Sequence, residues 1–79
     1  MYIVYILQSL KDRSYYTGIT TNLKLRLKDH NLGTSKYSLS KKPFKITWHC
    51  IFNDEKKAIH FEKYLKSGSG IAFRNKRLI

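Results

Sequence analysis

A chain of 79 residues with a single cysteine has neither an intrachain disulfide nor a cysteine-based zinc site to hold it together. A domain of this size buries only about 60% of the surface that its unfolded chain exposes, so its core is thin. The apolar fraction of 42% is typical of a globular protein. We therefore expect one domain, residues 1–79, with a core of Tyr, Phe, Leu and Ile. Cys50 lies in the apolar run 46–52 and is expected to be a buried small hydrophobe.

The charge balance is strongly basic: 16 Lys and Arg residues against five acids give a net charge of +11. Such an excess destabilises a compact chain by self-repulsion and indicates a polyanionic partner, with nucleic acid the first candidate. A membrane partner is not expected, because no basic amphipathic helix and no apolar run of roughly 20 residues is present. The N-terminus lacks the basic start and cleavage site of a signal peptide, so a cytoplasmic location is expected. The simplest alternative is a basic protein without a polyanionic partner.

The pattern of apolar residues predicts a small α/β (α+β) domain with a three-stranded sheet, in the order β-β-α-β-α-α. Strands are predicted from β-branched and aromatic runs, and helices from apolar stripes with capping residues before them. The predicted hairpin strands and the first helix are Tyr2–Gln8, Ser14–Thr20 and Leu23–His30, with Thr21 or Asn22 as cap and Gly33 as a left-handed end. The predicted remainder is a polar loop Thr34–Pro43, a strand Phe44–Phe52, a helix Glu55–Lys66 capped by Asn53 or Asp54, a break at 67–70 and a helix Ile71–Arg77.

The third strand shows a clear alternation, in which Ile46, Trp48, Cys50 and Phe52 are expected to share one face. In the helix that follows, an acid lies on the apolar stripe. Glu62 is flanked by Ala58, Ile59, Phe61 and Leu65. A carboxylate in that position must be paired or must bind a cation, because burial of a lone charge is costly. A salt bridge to Arg26 or a lysine and a metal role are equally compatible with the pattern.

Two further pairs could carry chemistry. Arg26 and His30 are four residues apart and share a helix face beside the apolar stripe, where a guanidinium can hold a phosphate and an imidazole can move a proton. Tyr5 and Tyr16 lie on the two hairpin strands and share a face if the hairpin loop has an even length. A phenol can relay a proton or bind a phosphate oxygen. Surface Arg and His residues and core tyrosines are the structural alternatives.

The five acids restrict the mechanism, because a two-metal site needs several converging carboxylates. Phosphodiester cleavage by this chain would use one hard cation on one carboxylate, with water and substrate phosphate completing the shell.

Taken in chain order, the hairpin tyrosines, the Arg-x-x-x-His helix and the helix glutamate resemble the GIY-YIG nuclease superfamily, most closely its small stand-alone bacterial members. The first motif is Ile3-Val4-Tyr5, the second is Tyr16-Thr17-Gly18, the Arg-x-x-x-His element is Arg26 and His30, and the helix glutamate is Glu62. The resemblance covers essentially the whole chain. Ile3 replaces the glycine of the first motif and Thr17 the isoleucine of the second, as in the stand-alone branch. Ile19 stands where some DNA-repair relatives have a lysine.

The resemblance implies an antiparallel three-stranded sheet flanked by helices and a single Mg²⁺ or Mn²⁺ on Glu62. It also implies that Tyr5 or Tyr16 helps to activate water, that Arg26 holds the scissile phosphate and that His30 assists proton transfer or phosphate binding. Asn75 loosely matches an extra polar residue near the C-terminus of some members. Tyr37 is either a phosphate or base contact or ordinary loop packing.

The function expected on these grounds is a metal-dependent endonuclease that acts on DNA more readily than on RNA, without an obligate protein partner. Phosphate contacts without sequence readout are expected from basic residues along the chain: Lys11, Arg13, Lys24, Lys28, Lys36, Lys41, Lys42 and Lys45. The alternative is a non-catalytic nucleic-acid-binding module with a degenerate site.

Overall fold

The computed structural model describes residues 1–33 and 35–79, and this part of the chain contains three strands and four helices. In chain order they are β1 (Tyr2–Ser9), β2 (Tyr15–Thr20), α1 (Leu23–Leu32), α2 (Lys36–Lys41), β3 (Phe44–Phe52), α3 (Glu55–Lys66) and α4 (Gly68–Arg77). The strands form one antiparallel sheet in the order β2-β1-β3, so β1 is central and β2 lies at an edge. The expected α+β class and three-stranded sheet are confirmed.

Because side chains of a strand alternate between faces, the apolar run of β1 supplies a core on both sides of the sheet. Val4 and Ile6 pack with Ala58 and Leu65 of α3, and we call this side the α3 face. On the other side, which we call the α1 face, the buried cluster consists of Tyr5, Leu7 and Phe44, with Leu23 and Leu27 of α1 packed against it. The thin core predicted from the length is thus divided into two layers by one strand.

An irregularity in β3 changes which residues share a face. Ile6 pairs with Trp48, but the next residue, Leu7, pairs with Ile46, so Thr47 is the extra residue of a bulge. The Thr47 hydroxyl donates to the carbonyl oxygen of Ile6 at 3.0 Å. As a result Trp48 packs on the α3 face and Ile46 on the α1 face. The prediction that Ile46 shares a face with Trp48 was wrong, because simple alternation does not count the bulged residue.

The segment predicted as a polar loop, Thr34–Pro43, contains the helix α2, so that prediction was wrong; Thr34 itself lies outside the described residues. Ser35 begins α2 as its N-cap, and its side chain accepts a hydrogen bond from the backbone N–H of Ser38 at 3.1 Å. A helix of six residues is too short to show an apolar period, which is why the pattern did not reveal it.

The last two helices meet at a single residue, Ser67, instead of at the four-residue break that was predicted. Ser67 caps α4 by accepting from the N–H of Gly70 at 3.1 Å, so α4 begins at Gly68. A side chain at Gly70 would collide with the carbonyl group of Tyr64. The glycine therefore belongs to the helix and allows α4 to approach the backbone of α3 closely.

The helix α1 also extends past its predicted end, to Leu32, with Asn22 as N-cap. Gly33 follows in the left-handed conformation (φ 68°) and donates its N–H to the carbonyl oxygen of His30, as predicted for a glycine C-cap. No helix in the described residues is both long enough and apolar enough to cross a membrane.

Candidate functional site

Tyr5 and Tyr16 lie on the same face of the hairpin. Tyr5 pairs with Gly18 and Leu7 pairs with Tyr16, and directly opposed residues share a face. The two tyrosine rings are 6.3 Å apart between centroids. A side chain at Gly18 would collide with the Tyr5 ring, so the missing Cβ of Gly18 is what lets that ring lie across the edge strand. The hairpin register thus places the Tyr5 and Tyr16 side chains next to each other, at the β2 edge of the sheet.

The environment of Tyr5 keeps its hydroxyl protonated. The ring is buried, and burial is the main reason that the pKa of Tyr5 lies well above its usual value. Tyr16 and the negative charge of Glu62 raise this pKa further, while the positive charge of Arg26 lowers it. The pKa of Tyr5 therefore depends on charges from both α1 and α3, the two helices that carry the other predicted site residues.

Arg26 and His30 of α1 open into one pocket with Tyr16. The pocket, which we call the α1 pocket, is also lined by Asp29 and by two serines at the start of α2, Ser35 and Ser38. The imidazole of His30 is buried against Tyr16, with ring centroids 4.8 Å apart. Arg26 is exposed one turn earlier. Two of the predicted residues on α1 and one on β2 are thus brought together in a single concave site.

A chain of hydroxyl hydrogen bonds fixes the orientation of His30. The Ser35 hydroxyl accepts from the Ser38 backbone N–H and donates to the Ser38 hydroxyl oxygen at 3.0 Å. The Ser38 hydroxyl in turn lies 3.3 Å from Nδ1 of His30. The Ser38 hydroxyl can donate to Nδ1 or accept from it, so the contact holds the ring in either tautomer. In the tautomer with the proton on Nε2, neutral His30 is a hydrogen-bond donor toward the pocket.

The charge state of His30 agrees with this role. Burial lowers the pKa of His30 below its usual value of 6.5, and the neighbouring charge of Arg26 lowers it further, against the opposing effect of Asp29. The imidazole is therefore neutral at neutral pH. A neutral donor beside a guanidinium suits recognition of an anionic oxygen.

Glu62 lies on α3 with only 12% of its side chain exposed, and its carboxylate oxygen Oε2 is 2.5 Å from Nζ of Lys66, one turn later. Its charge also acts on Tyr5. The ion pair matches the lysine salt bridge that the sequence left open. Among the described residues no group of three or more His, Cys, Asp or Glu side chains could hold a metal ion, so Glu62 would contribute one carboxylate to a cation and no protein ligand cluster.

Tyr37 and Asn75 occupy different surroundings. Tyr37, on α2, lies 5.7 Å from the ring of Tyr16 and stacks on Phe44 at 6.3 Å, with 40% of its surface exposed. It therefore borders the α1 pocket as an open aromatic ring. Asn75, on α4, is exposed and accepts two hydrogen bonds from the guanidinium of Arg74.

The predicted phosphate-binding cations are almost all exposed, as a phosphate contact requires: Lys11, Arg13, Lys24, Lys28, Lys36, Lys42 and Lys45. Lys41 differs, because it is half-buried and its ammonium pairs with Asp12. The pair raises the pKa of Lys41 and, with the Ser14 hydrogen bonds, lowers that of Asp12. Lys41 therefore acts in part as a link between α2 and the hairpin loop.

Sequence reasoning missed Ser38 and Asp29 as members of the pocket. The spacing of Ser35 and Ser38 is that of a helix cap and its third residue, and this signal could have revealed α2 and the serines beside it. Asp29 precedes His30 on the same helix, so the helical position of Asp29 relative to His30 was the only information needed to predict that it lines the pocket.

Residues 1–75 match the model of the GIY-YIG catalytic domain. The chain is 42% identical over 67 residues to the UPF0213 protein CPE1444 of Clostridium perfringens, a match covering 84% of this chain and 71% of the relative. It is 36% identical to the UPF0213 protein SH2523 of Staphylococcus haemolyticus over 84% of this chain and 80% of that protein.

A solved structure shows the same fold. The solution NMR structure of the UPF0213 protein BH0048 from Bacillus halodurans is 31% identical in sequence, with a TM-score of 0.58, covering 99% of this chain and 87% of that one. Because the family model spans residues 1–75 and relatives of this similarity match most of the chain, the chain belongs to the GIY-YIG domain family.

Proposed function

We propose that this protein is a metal-dependent endonuclease that hydrolyses phosphodiester bonds in DNA. The observation that carries the proposal is the α1 pocket, in which Tyr16, Arg26 and His30 converge, while Glu62 lies close enough to act electrostatically on Tyr5 behind it. Membership of a nuclease family supports the same reaction. The net charge of +11 supports a polyanionic substrate.

The residues of the pocket divide the work of phosphodiester hydrolysis. Arg26 holds the scissile phosphate through two parallel N–H bonds and stabilises the charge that develops on its oxygens. His30 donates from Nε2 to a phosphate oxygen or to the leaving oxygen. Tyr16 lines the pocket and orients the attacking water, and Tyr5 supports the Tyr16 ring from the buried side. Water adds to phosphorus as one P–O bond breaks; the water gives up one proton to solvent, and the leaving oxygen takes one proton from solvent, so the step balances.

The chemistry of Glu62 fits a single Mg²⁺ or Mn²⁺, because a carboxylate is the ligand that such hard cations prefer, with water and phosphate oxygens as the other ligands. Such a cation would supply positive charge beside the phosphate. Lys66 is paired with the same carboxylate, so a cation that binds Oε2 of Glu62 would have to displace the ammonium of Lys66 from that oxygen. The same pair is the observation that favours the alternative function, a binding module in which Lys66 neutralises Glu62 permanently.

The test is cleavage of plasmid, branched DNA and structured RNA during a titration of Mg²⁺ or Mn²⁺. We expect Glu62→Gln to lower DNA cleavage by about 100-fold or more, the usual effect of losing one stabilising group at the transition state. Glu55→Gln is the matched control, since Glu55 is an exposed acid at the start of the same helix. Salt-dependent binding should survive in both variants.

Three results would count against the proposal. Equal cleavage by Glu62→Gln and Glu55→Gln would remove the metal role from Glu62. Tight binding of all three nucleic acids without cleavage by the wild-type protein would favour the binding module, and cleavage of RNA alone would replace DNA as the substrate.

A further inference from the structure

Tyr16 lines a second pocket besides the α1 pocket, on the side of the ring that faces α3 and α4. We call it the α4 groove. Its walls include Tyr15 and Thr17 of β2, Lys66 at the end of α3, and Ile71 and Arg74 of α4. Apart from Thr17, none of these residues belongs to the motifs that the family resemblance identified. The Tyr16 ring thus borders two recesses of the surface, each lined by one arginine.

The guanidinium of Arg74 is held in a defined orientation at this groove. It lies over the ring of Tyr15, 5.0 Å from the centroid, in a cation–π contact. The side-chain oxygen of Asn75 accepts from Nε at 3.1 Å and from Nη2 at 3.0 Å. These two bonds use one edge of the planar group. Of its five N–H donors, the two on Nη1 and the second one on Nη2 make no bond to Asn75, and one from each nitrogen points along the Nη1–Nη2 edge.

The other cation of the groove is already engaged, because the ammonium of Lys66 is paired with Glu62. Arg74, in contrast, is hydrogen-bonded to a neutral amide, so its positive charge is not compensated by that partner. A preorganised guanidinium edge with two parallel donors matches the oxygen spacing of a phosphate better than an ammonium does.

We propose that the α4 groove binds a second phosphate of the nucleic-acid strand whose scissile phosphate lies at Arg26, so that the strand crosses over Tyr16. Arg74 is the residue that binds this phosphate, and Asn75 positions Arg74. The inference rests on the proposed function for the location of the strand, but it concerns binding and requires no cleavage. It gives the loosely matched Asn75 a role through its neighbour.

The experiment measures binding of a 5′-fluorescein-labelled twelve-residue thymidine oligonucleotide by fluorescence anisotropy, with EDTA present so that no cleavage occurs. Arg74→Gln removes the charge and keeps a polar side chain of similar length. We expect five- to tenfold weaker binding at low salt and a salt slope smaller by about 0.7, the value for one phosphate contact on a single strand. Lys76→Gln is the matched control, because Lys76 is an exposed cation of the same helix outside the groove. It should weaken binding less than twofold.

Equal losses for Arg74→Gln and Lys76→Gln, or no loss for either, would overturn the proposal. If Arg74→Gln does not fold, as judged by its thermal melt, Arg74→Lys replaces it; this variant keeps the charge and loses the fork, and unchanged affinity would also overturn the assignment. A second measurement scans the oligonucleotide with single neutral methylphosphonate linkages. One position should weaken binding to the wild type and not to the Arg74 variant.

The outcomes separate this proposal from the nuclease proposal. A wild-type protein that never cleaves but binds with the expected dependence on Arg74 contradicts the nuclease and supports the groove. If the wild-type protein cleaves DNA and Arg74→Gln binds the oligonucleotide as Lys76→Gln does, the nuclease proposal is supported and the groove proposal is contradicted.

Discussion

The two faces of the central strand differ although neighbouring residues build them. Ile6 points into the α3 face, where it is fully buried in an apolar cluster with Ala58 and Leu65 of α3. Tyr5, the residue before it, points into the α1 face, where its ring lies near Tyr16 and His30. One face is a conventional core. The other also contains titratable rings, two of which, Tyr16 and His30, line an open pocket.

This difference indicates a division of labour within a very small domain. The α3 face stabilises the fold through burial of apolar surface. The α1 face also contains ionisable side chains, among them His30 and Tyr16. Both faces share β1, so substitutions on one face should be separable from substitutions on the other. The three predictions below test that separation.

The largest effect is expected on the α3 face, from Ile6→Ala. The substitution leaves a cavity in a fully buried position, which should lower the free energy of unfolding by about 3 kcal/mol. That is a large part of the 5–15 kcal/mol typical of small domains. Urea unfolding measures the loss. Oligonucleotide affinity of the folded protein should not change, and a parallel loss of affinity at temperatures where the variant stays folded would contradict the division.

A smaller effect is expected on the α1 face, from Gly18→Ala. The added methyl group would displace the Tyr5 ring, at a cost of about 1–3 kcal/mol for overpacking, and cleavage should fall with it. Gly68→Ala is the control, since nothing lies within 4 Å of a side chain at Gly68. In a double-mutant cycle with Tyr5→Leu, the cost of Gly18→Ala should shrink. A cost that is independent of residue 5 would show that the two residues do not interact.

The smallest effect concerns pH. The pKa of His30 in the folded state lies below its usual value of 6.5, so the unfolded chain takes up the proton first as the pH falls. Wild-type stability should be unaffected by His30 above pH 6.5 and should decrease as the pH falls through 6.5 toward the folded-state pKa. His30→Gln should remove that part of the decrease. Urea midpoints between pH 5 and 8 measure it, and because His49 and His60 are present in both proteins, identical pH profiles would refute the shift.

The sequence predicted those parts of the fold that have a long, regular pattern. The bounds of α3, Glu55–Lys66, were predicted correctly because a capping aspartate precedes an apolar stripe of three turns. The short helix α2 and the bulge at Thr47 escaped, since six residues show no period and a bulge depends on the pairing partner. The bulge depends on pairing across the fold, whereas the local signal for α2 is its cap, Ser35 with Ser38, and not an apolar period.

The candidate site divides in the same way. The spacing of Arg26 and His30 on one helix placed them together from the sequence alone. Whether Tyr5 and Tyr16 share a face depended on the hairpin register, which the sequence does not fix. The sequence also left several cations as possible partners of Glu62, and in the structure the partner is Lys66. The catalytic roles of these residues, and the phosphate contacts of the surface lysines, remain predictions.

The link between Lys41 and the hairpin loop has a consequence for how the pocket is shaped. The Ser9 hydroxyl donates to the carbonyl oxygen of Lys41 at 2.5 Å, and the Leu10 N–H donates to that of Pro43 at 2.8 Å, beside the ion pair with Asp12. The hairpin loop therefore braces the far end of α2, whose near end carries the serines that orient His30. We therefore expect a hairpin loop of different length to shift α2, and with it the width of the α1 pocket, without a change to any residue that lines the pocket.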